Sequence, residues 1–130
     1  MPGAARVDRP ILVSRDSLDD RVQETAGVHR ATAFSDDHVW VGRVRDGPLQ
    51  ESGWHIHPGH DTYAHSVTGQ FLVDFGLGGR ERVIIEPGAF ALIPKGLIHR
   101  EGNPTTEPNE GIVFRVGSGP ITVPLDGPES

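Results

Sequence analysis

The sequence predicts an all-β domain, built as a sandwich or a small barrel of short strands. The chain has 130 residues, enough for one domain that buries roughly two-thirds of its unfolded surface. It contains 17 glycines and 11 prolines, and short runs of valine, isoleucine and leucine lie between these turn-forming residues. Short strands at regular spacing, separated by turn signals, are typical of sandwiches and barrels.

The N-terminal segment gives weaker signals than the rest of the chain. Residues 1–10 are expected to form a frayed arm, and Ile11–Val13 a short edge strand. The charges and the apolar spacing within Ser14–Gln23 allow one or two helical turns, with an irregular loop as the alternative. We therefore assign residues 1–27 to an N-terminal arm and edge strand.

Strands are predicted through most of the remaining chain. They are Val28–Phe34, His38–Val44, Trp54–His57, two strands within Tyr63–Phe75 that reverse at Gly69, Arg82–Ile85, Ala89–Ile93, His99–Asn103 and Ile112–Val116. Leu77–Gly79 is predicted to be a hairpin tip. Most of the alternating apolar residues are expected in the core, namely Phe71, Val73, Phe75, Phe90, Leu92 and Phe114. Residues 28–118 are assigned to the barrel and residues 119–130 to a loosely held tail, within a single domain.

Composition argues against several classes of partner. The formal net charge is −6, with acids and bases interspersed, so we expect no nucleic-acid partner. No stretch approaches the roughly 20 apolar residues of a membrane helix, and the N-terminus lacks the apolar core of a secretory signal. The absence of cysteine excludes disulfides and thiolate ligands. We expect a soluble, cytoplasmic protein with no membrane partner.

Two histidine-bearing segments carry the main chemical signal. His55 and His57 are separated by one residue, so on a strand their imidazoles point to the same face, about 6–7 Å apart. His99 follows the turn formed by residues 94–96, at the end of a second apolar run. Two histidines from one strand and a third from another supply neutral nitrogen donors on rigid supports. This pattern predicts a metal site.

These segments resemble the two signatures of the cupin superfamily, as they occur in its small single-domain members. The second signature is G, five residues, PxG, two residues, H, three residues, N, and it matches at Gly88, Pro94, Gly96, His99 and Asn103. The first signature is G, five residues, HxH, three or four residues, E, six residues, G. It matches at His55, His57 and Gly69.

The first signature departs from the chain at two positions. Its leading glycine falls on Leu49, and its glutamate falls on Thr62 when both spacings are kept. A shorter count places the glutamate on Asp61 but moves the final glycine by one residue. The fourth-ligand position therefore belongs to Asp61 or Thr62, and a threonine hydroxyl is a poor ligand for a divalent metal. His60 is a spare nitrogen donor close by, and water is a further alternative.

The resemblance implies a double-stranded β-helix, or jelly roll, with the site at its mouth, and a homodimer. It implies that His55, His57 and His99 bind a divalent metal, with Fe²⁺ favoured and Mn²⁺, Ni²⁺ or Zn²⁺ as alternatives. Without a carboxylate the site keeps open positions. It then resembles the three-histidine iron sites of some cupin dioxygenases.

The expected function is that of a metal-dependent oxidoreductase acting on a small organic molecule in a dioxygenase-type or oxygenase-type reaction. The alternatives are a redox-neutral isomerase or lyase, a non-catalytic module that binds a small molecule or metal, and a structural subunit. A proton transfer needs a group with a suitable pKa, and the candidates are His60, Tyr63 and Glu101. Strand alternation, however, places Tyr63 and His65 on the face opposite Thr62.

Overall fold

The computed structural model describes residues 8–21, 23 and 27–128, so residues 1–7 of the predicted arm lie outside it. The described part contains ten strands. They are β1 (His29–Ser35), β2 (Val39–Arg45), β3 (His55–Ile56), β4 (His60–Thr68), β5 (Phe71–Phe75), β6 (Glu81–Ile85), β7 (Phe90–Ile93), β8 (His99–Gly102), β9 (Glu110–Gly117) and β10 (Val123–Pro124). No helix in this part of the chain has the length and apolar content to span a membrane.

The strands form two five-stranded antiparallel sheets, in the orders β1-β2-β9-β4-β7 and β10-β3-β8-β5-β6. Apolar side chains from both sheets meet in two clusters. One is centred on Trp40, Val44 and Val113, and the other on Val73, Ile85 and Ile93. The architecture is the double-stranded β-helix that the sequence analysis predicts.

The N-terminal predictions need correction where the structure describes them. Ile11–Val13 is extended chain without a strand partner among the described residues. The predicted helical turns reduce to one 3-10 turn at Arg15–Ser17. After that turn, the backbone of Asp19 exchanges hydrogen bonds of 2.9 and 2.7 Å with Thr32 on β1. This pairing draws the segment onto the sheet edge, so an extended chain is favoured over a longer helix.

Leu49 occupies the position of the first signature's leading glycine and keeps a glycine-like backbone. Its φ is +57°, in the left-handed region, which costs an L-residue roughly 1–2 kcal/mol. The Gln50 N–H donates to the Gly47 carbonyl at 3.1 Å, and the Leu49 N–H donates to the Thr105 carbonyl at 2.9 Å. A positive φ at the third residue of such a turn is typical of type II, which favours glycine there.

Three predicted core residues lie instead on the outer face of the first sheet. Phe90, Leu92 and Phe114 are 80%, 54% and 46% exposed. Leu92, Tyr63 and Phe114 are direct neighbours across β7, β4 and β9, and directly paired residues share a face. We define the outer apolar face by its exposed members, Tyr63, Phe90, Leu92, Ile112, Phe114 and Val116.

Candidate metal site

The three histidines of the two signatures meet inside the barrel. His55 lies on β3 and pairs directly with His99 on β8, and His57 follows one residue after the end of β3. The ring centroids are 4.4 to 5.1 Å apart. None of the three side chains is more than 2% exposed. The spacing on one strand and the pairing between two strands therefore produce one buried cluster.

Backbone carbonyls set the tautomer of each ring. The Nδ1–H groups of the three rings donate to carbonyl oxygens at 2.8, 2.6 and 2.9 Å, from His55 to Gly53, His57 to Ile121 and His99 to Leu97. A carbonyl only accepts, so the hydrogen is on Nδ1 and a lone pair remains on Nε2. Each Nε2 is buried and has no hydrogen-bond partner among the described residues. The ligand atoms of the three residues lie within 4.8 Å of one another.

Burial keeps the imidazoles of His55 and His57 neutral. It lowers the pKa of His57 to about 3, and the positive charge of Arg115 acts in the same direction. Burial also lowers the pKa of His55. A neutral imidazole offers its lone pair to a metal without first losing a proton. Each ring thus has an Nε2 without a hydrogen-bond partner, and the hydrogen bond of its Nδ1–H holds the ring in place. This set of donors fits a divalent metal ion.

The C-terminal segment contributes to this site, in contrast to the predicted loose tail. Strand β10 pairs with β3, placing Val123 opposite Ile56 and Pro124 opposite His55. The Leu125 N–H also donates to the Trp54 carbonyl at 2.9 Å. This pairing brings the carbonyl of Ile121 to the ring of His57. No sequence signal marks this contact, because every residue carries a backbone carbonyl.

The sequence of residues 42–128 matches the family model for the cupin domain. The chain belongs to the cupin family. A comparison with the curated proteins finds no match. Among solved structures, this cupin resembles a Klebsiella pneumoniae protein with a double-stranded β-helix domain, at a TM-score of 0.70 and 17% identity, over 90% of this chain and 98% of the other. It also resembles the polyketide cyclase RemF from Streptomyces resistomycificus, at a TM-score of 0.74 and 14% identity, over 90% and 86% of the two chains. These two likenesses concern the fold.

A third similar structure is an oxalate oxidase in complex with the substrate analogue glycolate. Its identity to this cupin is 25% and its TM-score is 0.59, over 68% of this chain. The cupin spans about half the length of that oxidase, since 46% of the oxidase chain is covered.

Two signature residues have structural roles in this cupin. Gly96 adopts a φ of +78°, a conformation that favours glycine, and its N–H donates to the His57 carbonyl at 3.0 Å. This bond docks the turn before His99 onto the strand that carries the other two ligands. Asn103 is buried and organises the following loop, because its amide donates to the Glu107 carbonyl at 2.7 Å.

The structure separates the residues considered for the fourth ligand. Thr62 faces inward and is 1% exposed, and its hydroxyl has no hydrogen-bond partner within the described part of the chain. Asp61 instead accepts a hydrogen bond from the Lys95 backbone N–H at 2.9 Å, on the second signature's turn. His60 is buried, but it is outside the group of ligand atoms within 4.8 Å that the described residues form.

Of the acid–base candidates, Glu101 lies at the site and Tyr63 does not. Glu101 Oε2 is 3.7 Å from His99 Nε2, and the side chain is 15% exposed. Burial acts to raise the pKa of Glu101, but the contact with His99 and the positive charge of Arg115 hold it well below its usual value. Tyr63 is 48% exposed on the outer apolar face. The pleat of β4 therefore points it away from the histidines.

A small cavity lies in the barrel interior. Its volume is about 30 Å³, and its polar lining residues are Asp46, Thr62, His65, Ser66, Glu101 and Arg115. A single water needs about 10–15 Å³ by this measure, so the space is that of roughly two waters. Apolar side chains from both sheets form the remaining wall.

Sequence reasoning missed two charged residues in this cavity. Arg115 is 1% exposed, and its guanidinium lies 5.2 Å from the ring centroid of Trp40. Burial, reinforced by the negative charge of Glu101, raises the pKa of Asp46 to about 7. Asp46 directly precedes the Gly47-Pro48 turn signal, which makes it resemble an ordinary loop residue. The only sequence signal for Arg115 is its place in the alternation of β9, between two outward-facing apolar residues.

Proposed function

We propose that this cupin is a metal-dependent enzyme that oxidises a small organic molecule with molecular oxygen at a mononuclear iron site. The observation that carries the proposal is the cluster of three buried Nε2 lone pairs within 4.8 Å. Imidazole ligands suit Fe²⁺ and also Mn²⁺, Ni²⁺ and Zn²⁺. The oxidase likeness at 25% identity supports redox chemistry over a purely structural role.

A bound iron ion would supply electron transfer and Lewis acidity. His55, His57 and His99 would hold it through Nε2, and their bonds to backbone carbonyls keep the rings in a fixed orientation. The interior cavity adjoins the histidines through Glu101, which lines the cavity and lies 3.7 Å from His99 Nε2. Asp46, with its pKa of about 7, is able to take up or release a proton near neutral pH.

The interior favours a small and anionic substrate. The cavity volume of about 30 Å³ leaves room for few atoms without side-chain movement. Arg115 lines this space, and arginine pairs well with carboxylates. The oxalate oxidase likeness points to the same chemical class, because that protein was captured with glycolate. We therefore propose a small organic acid as substrate.

Oxygen consumption tests this function. Protein purified without a histidine tag is loaded with Fe²⁺ under anaerobic conditions, and oxygen uptake is followed with a panel of two- to four-carbon organic acids. Uptake should require both iron and one of the acids, and it should be lost in His99→Ala, which removes the ligand from β8. Iron binding without acid-dependent uptake would contradict the oxidase proposal.

A redox-neutral isomerase or lyase is the second candidate, and one observation favours it. Such a reaction needs a general base with a pKa near the working pH, and Asp46 provides one in the cavity wall. Product formation by NMR under anaerobic conditions, lost in Asp46→Asn, would favour this candidate over the oxidation.

We also propose that the cupin forms a homodimer through the outer apolar face. Six large apolar residues are exposed together on one sheet, three of them paired side by side across adjacent strands. A continuous exposed apolar surface is typical of protein interfaces. The flat side of a five-stranded sheet offers the same surface to a second copy around a twofold axis.

A further inference from the structure

We propose that Glu101 supplies a fourth protein ligand to the metal, in place of the glutamate that the first signature would carry at position 62. The inference rests on the proposed metal-dependent function. It names a ligand that neither cupin signature contains, because position 101 falls between the histidine and the asparagine of the second signature.

The backbone of β8 directs Glu101 to the metal side of the barrel. Glu101 is two residues after His99 on the same strand, so the two side chains share a face. Both backbone polar groups of Glu101 form hydrogen bonds with Ser52. The Ser52 N–H donates to the Glu101 carbonyl at 2.7 Å, and the Glu101 N–H donates to Ser52 Oγ at 3.0 Å. The carboxylate therefore extends from a fixed anchor point.

The separation between Glu101 and His99 is that expected for two ligands of one ion. Metal–nitrogen and metal–oxygen bonds to such ligands are about 2.0–2.2 Å. Two ligand atoms at this distance are about 3.0 Å apart at a right angle and about 4.2 Å apart on opposite sides. Glu101 Oε2 and His99 Nε2 are 3.7 Å apart, between these two limits. Glu101, like His60, lies outside the group of ligand atoms within 4.8 Å that the described residues form, so its carboxylate has to move toward the other two histidines to share their ion.

Thr62 does not supply the carboxylate ligand that the first signature places at position 62. Thr62 lies on β4, in the sheet opposite to β8, and both Thr62 and Glu101 line the interior cavity. A threonine side chain ends at Oγ1, two atoms short of a glutamate carboxylate. Asp61 cannot compensate, because Lys95 holds its carboxylate on the turn. The carboxylate that this cupin lacks in one sheet is thus available from the other.

A carboxylate from β8 gives the metal site the same net charge as the signature glutamate on β4 would. Three neutral imidazoles and one carboxylate around a divalent ion carry a net charge of +1, whereas three imidazoles alone leave +2. A carboxylate oxygen is also a harder donor than imidazole and suits iron and manganese. The three-histidine site expected from the sequence therefore becomes a site with three histidines and one glutamate.

Metal affinity in four variants tests the inference. Mn²⁺ and Co²⁺ affinities are measured by competitive chelator titration, with Co²⁺ absorption reporting the coordination. Glu101→Gln removes the charge, and Glu101→Asp keeps the charge but withdraws it by about 1.5 Å. Both variants should bind more than about tenfold more weakly than wild type and change the Co²⁺ spectrum. Asp61→Asn alters a carboxylate on the turn and should not tighten metal binding. Thr62→Glu should not tighten it either, because Glu101 already supplies the carboxylate ligand.

The outcomes separate this inference from the proposed function. If wild type binds neither metal, the proposed function fails and the ligand assignment with it. If wild type binds metal and the metal affinity of Glu101→Asp is within about tenfold of the wild-type affinity, then Glu101 acts only as a nearby charge. That result overturns the ligand assignment and leaves the proposed function standing. Thr62→Glu in the Glu101→Gln background should recover the lost affinity. Tighter binding by Thr62→Glu in the wild-type background would also overturn the inference, and that result does not depend on how the Glu101 variants fold.

Discussion

In the metal-free protein, His57 and Asp46 should change the free energy of unfolding in opposite directions as the pH changes. Burial lowers the pKa of His57 from 6.5 to about 3. Between these values the unfolded chain binds a proton that the folded chain does not, so stability decreases as the pH falls. Burial raises the pKa of Asp46 from 3.8 to about 7. Here the folded chain holds the additional proton, so stability decreases as the pH rises.

The two effects overlap between about pH 4.5 and pH 6, where each group contributes about 1.4 kcal/mol per pH unit with opposite sign. In wild type the two contributions nearly cancel. Relative to wild type, His57→Asn should therefore change the slope of unfolding free energy against pH by about −1.4 kcal/mol per unit. Asp46→Asn should change the same slope by about +1.4 kcal/mol per unit, and the double variant should be parallel to wild type.

Urea unfolding with a chelator present, followed by tryptophan fluorescence across this pH range, measures the slopes. His38→Gln removes an exposed histidine and serves as the control for losing a histidine from the chain. If the His57→Asn curve runs parallel to the wild-type curve, then His57 binds protons equally in both states. In that case the ring is not the buried neutral donor that the metal site requires.

Three further results are expected. Leu49→Gly should raise the unfolding free energy by roughly 0.5–1 kcal/mol, because glycine relieves the φ of +57° at some cost in entropy; Leu49→Ala, which keeps the strain, should not. Deleting residues 120–130 should weaken Mn²⁺ binding more than about tenfold by removing the Ile121 carbonyl from His57, whereas deleting residues 126–130 should not. Light scattering at micromolar concentration should show a dimer for wild type and for Leu12→Asp, but a monomer for Phe90→Asp; a wild-type monomer would refute the proposed interface.

Local spacing was sufficient to predict most strands of the barrel and the common face of His55 and His57. His55 and His57 share a face because side chains alternate along any strand, wherever that strand lies. The same alternation correctly separated Thr62 from Tyr63 on β4. The turn residues at the second signature also act locally, since the left-handed backbone of Gly96 is a property of that one residue. Such features depend on neighbours in the chain, which the sequence displays directly.

Alternation does not indicate which of two faces is buried. On β9, Ile112 and Phe114 face outward while Arg115 faces the cavity, which reverses the assignment that hydrophobicity alone suggests. The negative charge of Glu101, on another strand, helps to accommodate the arginine inside. Only the packing of the two sheets brings those charges together.

The sequence by itself thus determined the fold class, most strands of the barrel and the three nitrogen donors. The tertiary structure alone decided which groups lie around these donors: the carbonyl of Ile121 on His57, the carboxylate of Glu101 beside His99, and the buried carboxyl of Asp46 in the cavity that Glu101 also lines. The physical reason is the range of the interactions. Face and turn conformation follow from bonds between adjacent residues, whereas burial, charge pairing and backbone hydrogen-bond acceptors come from segments far apart in the chain.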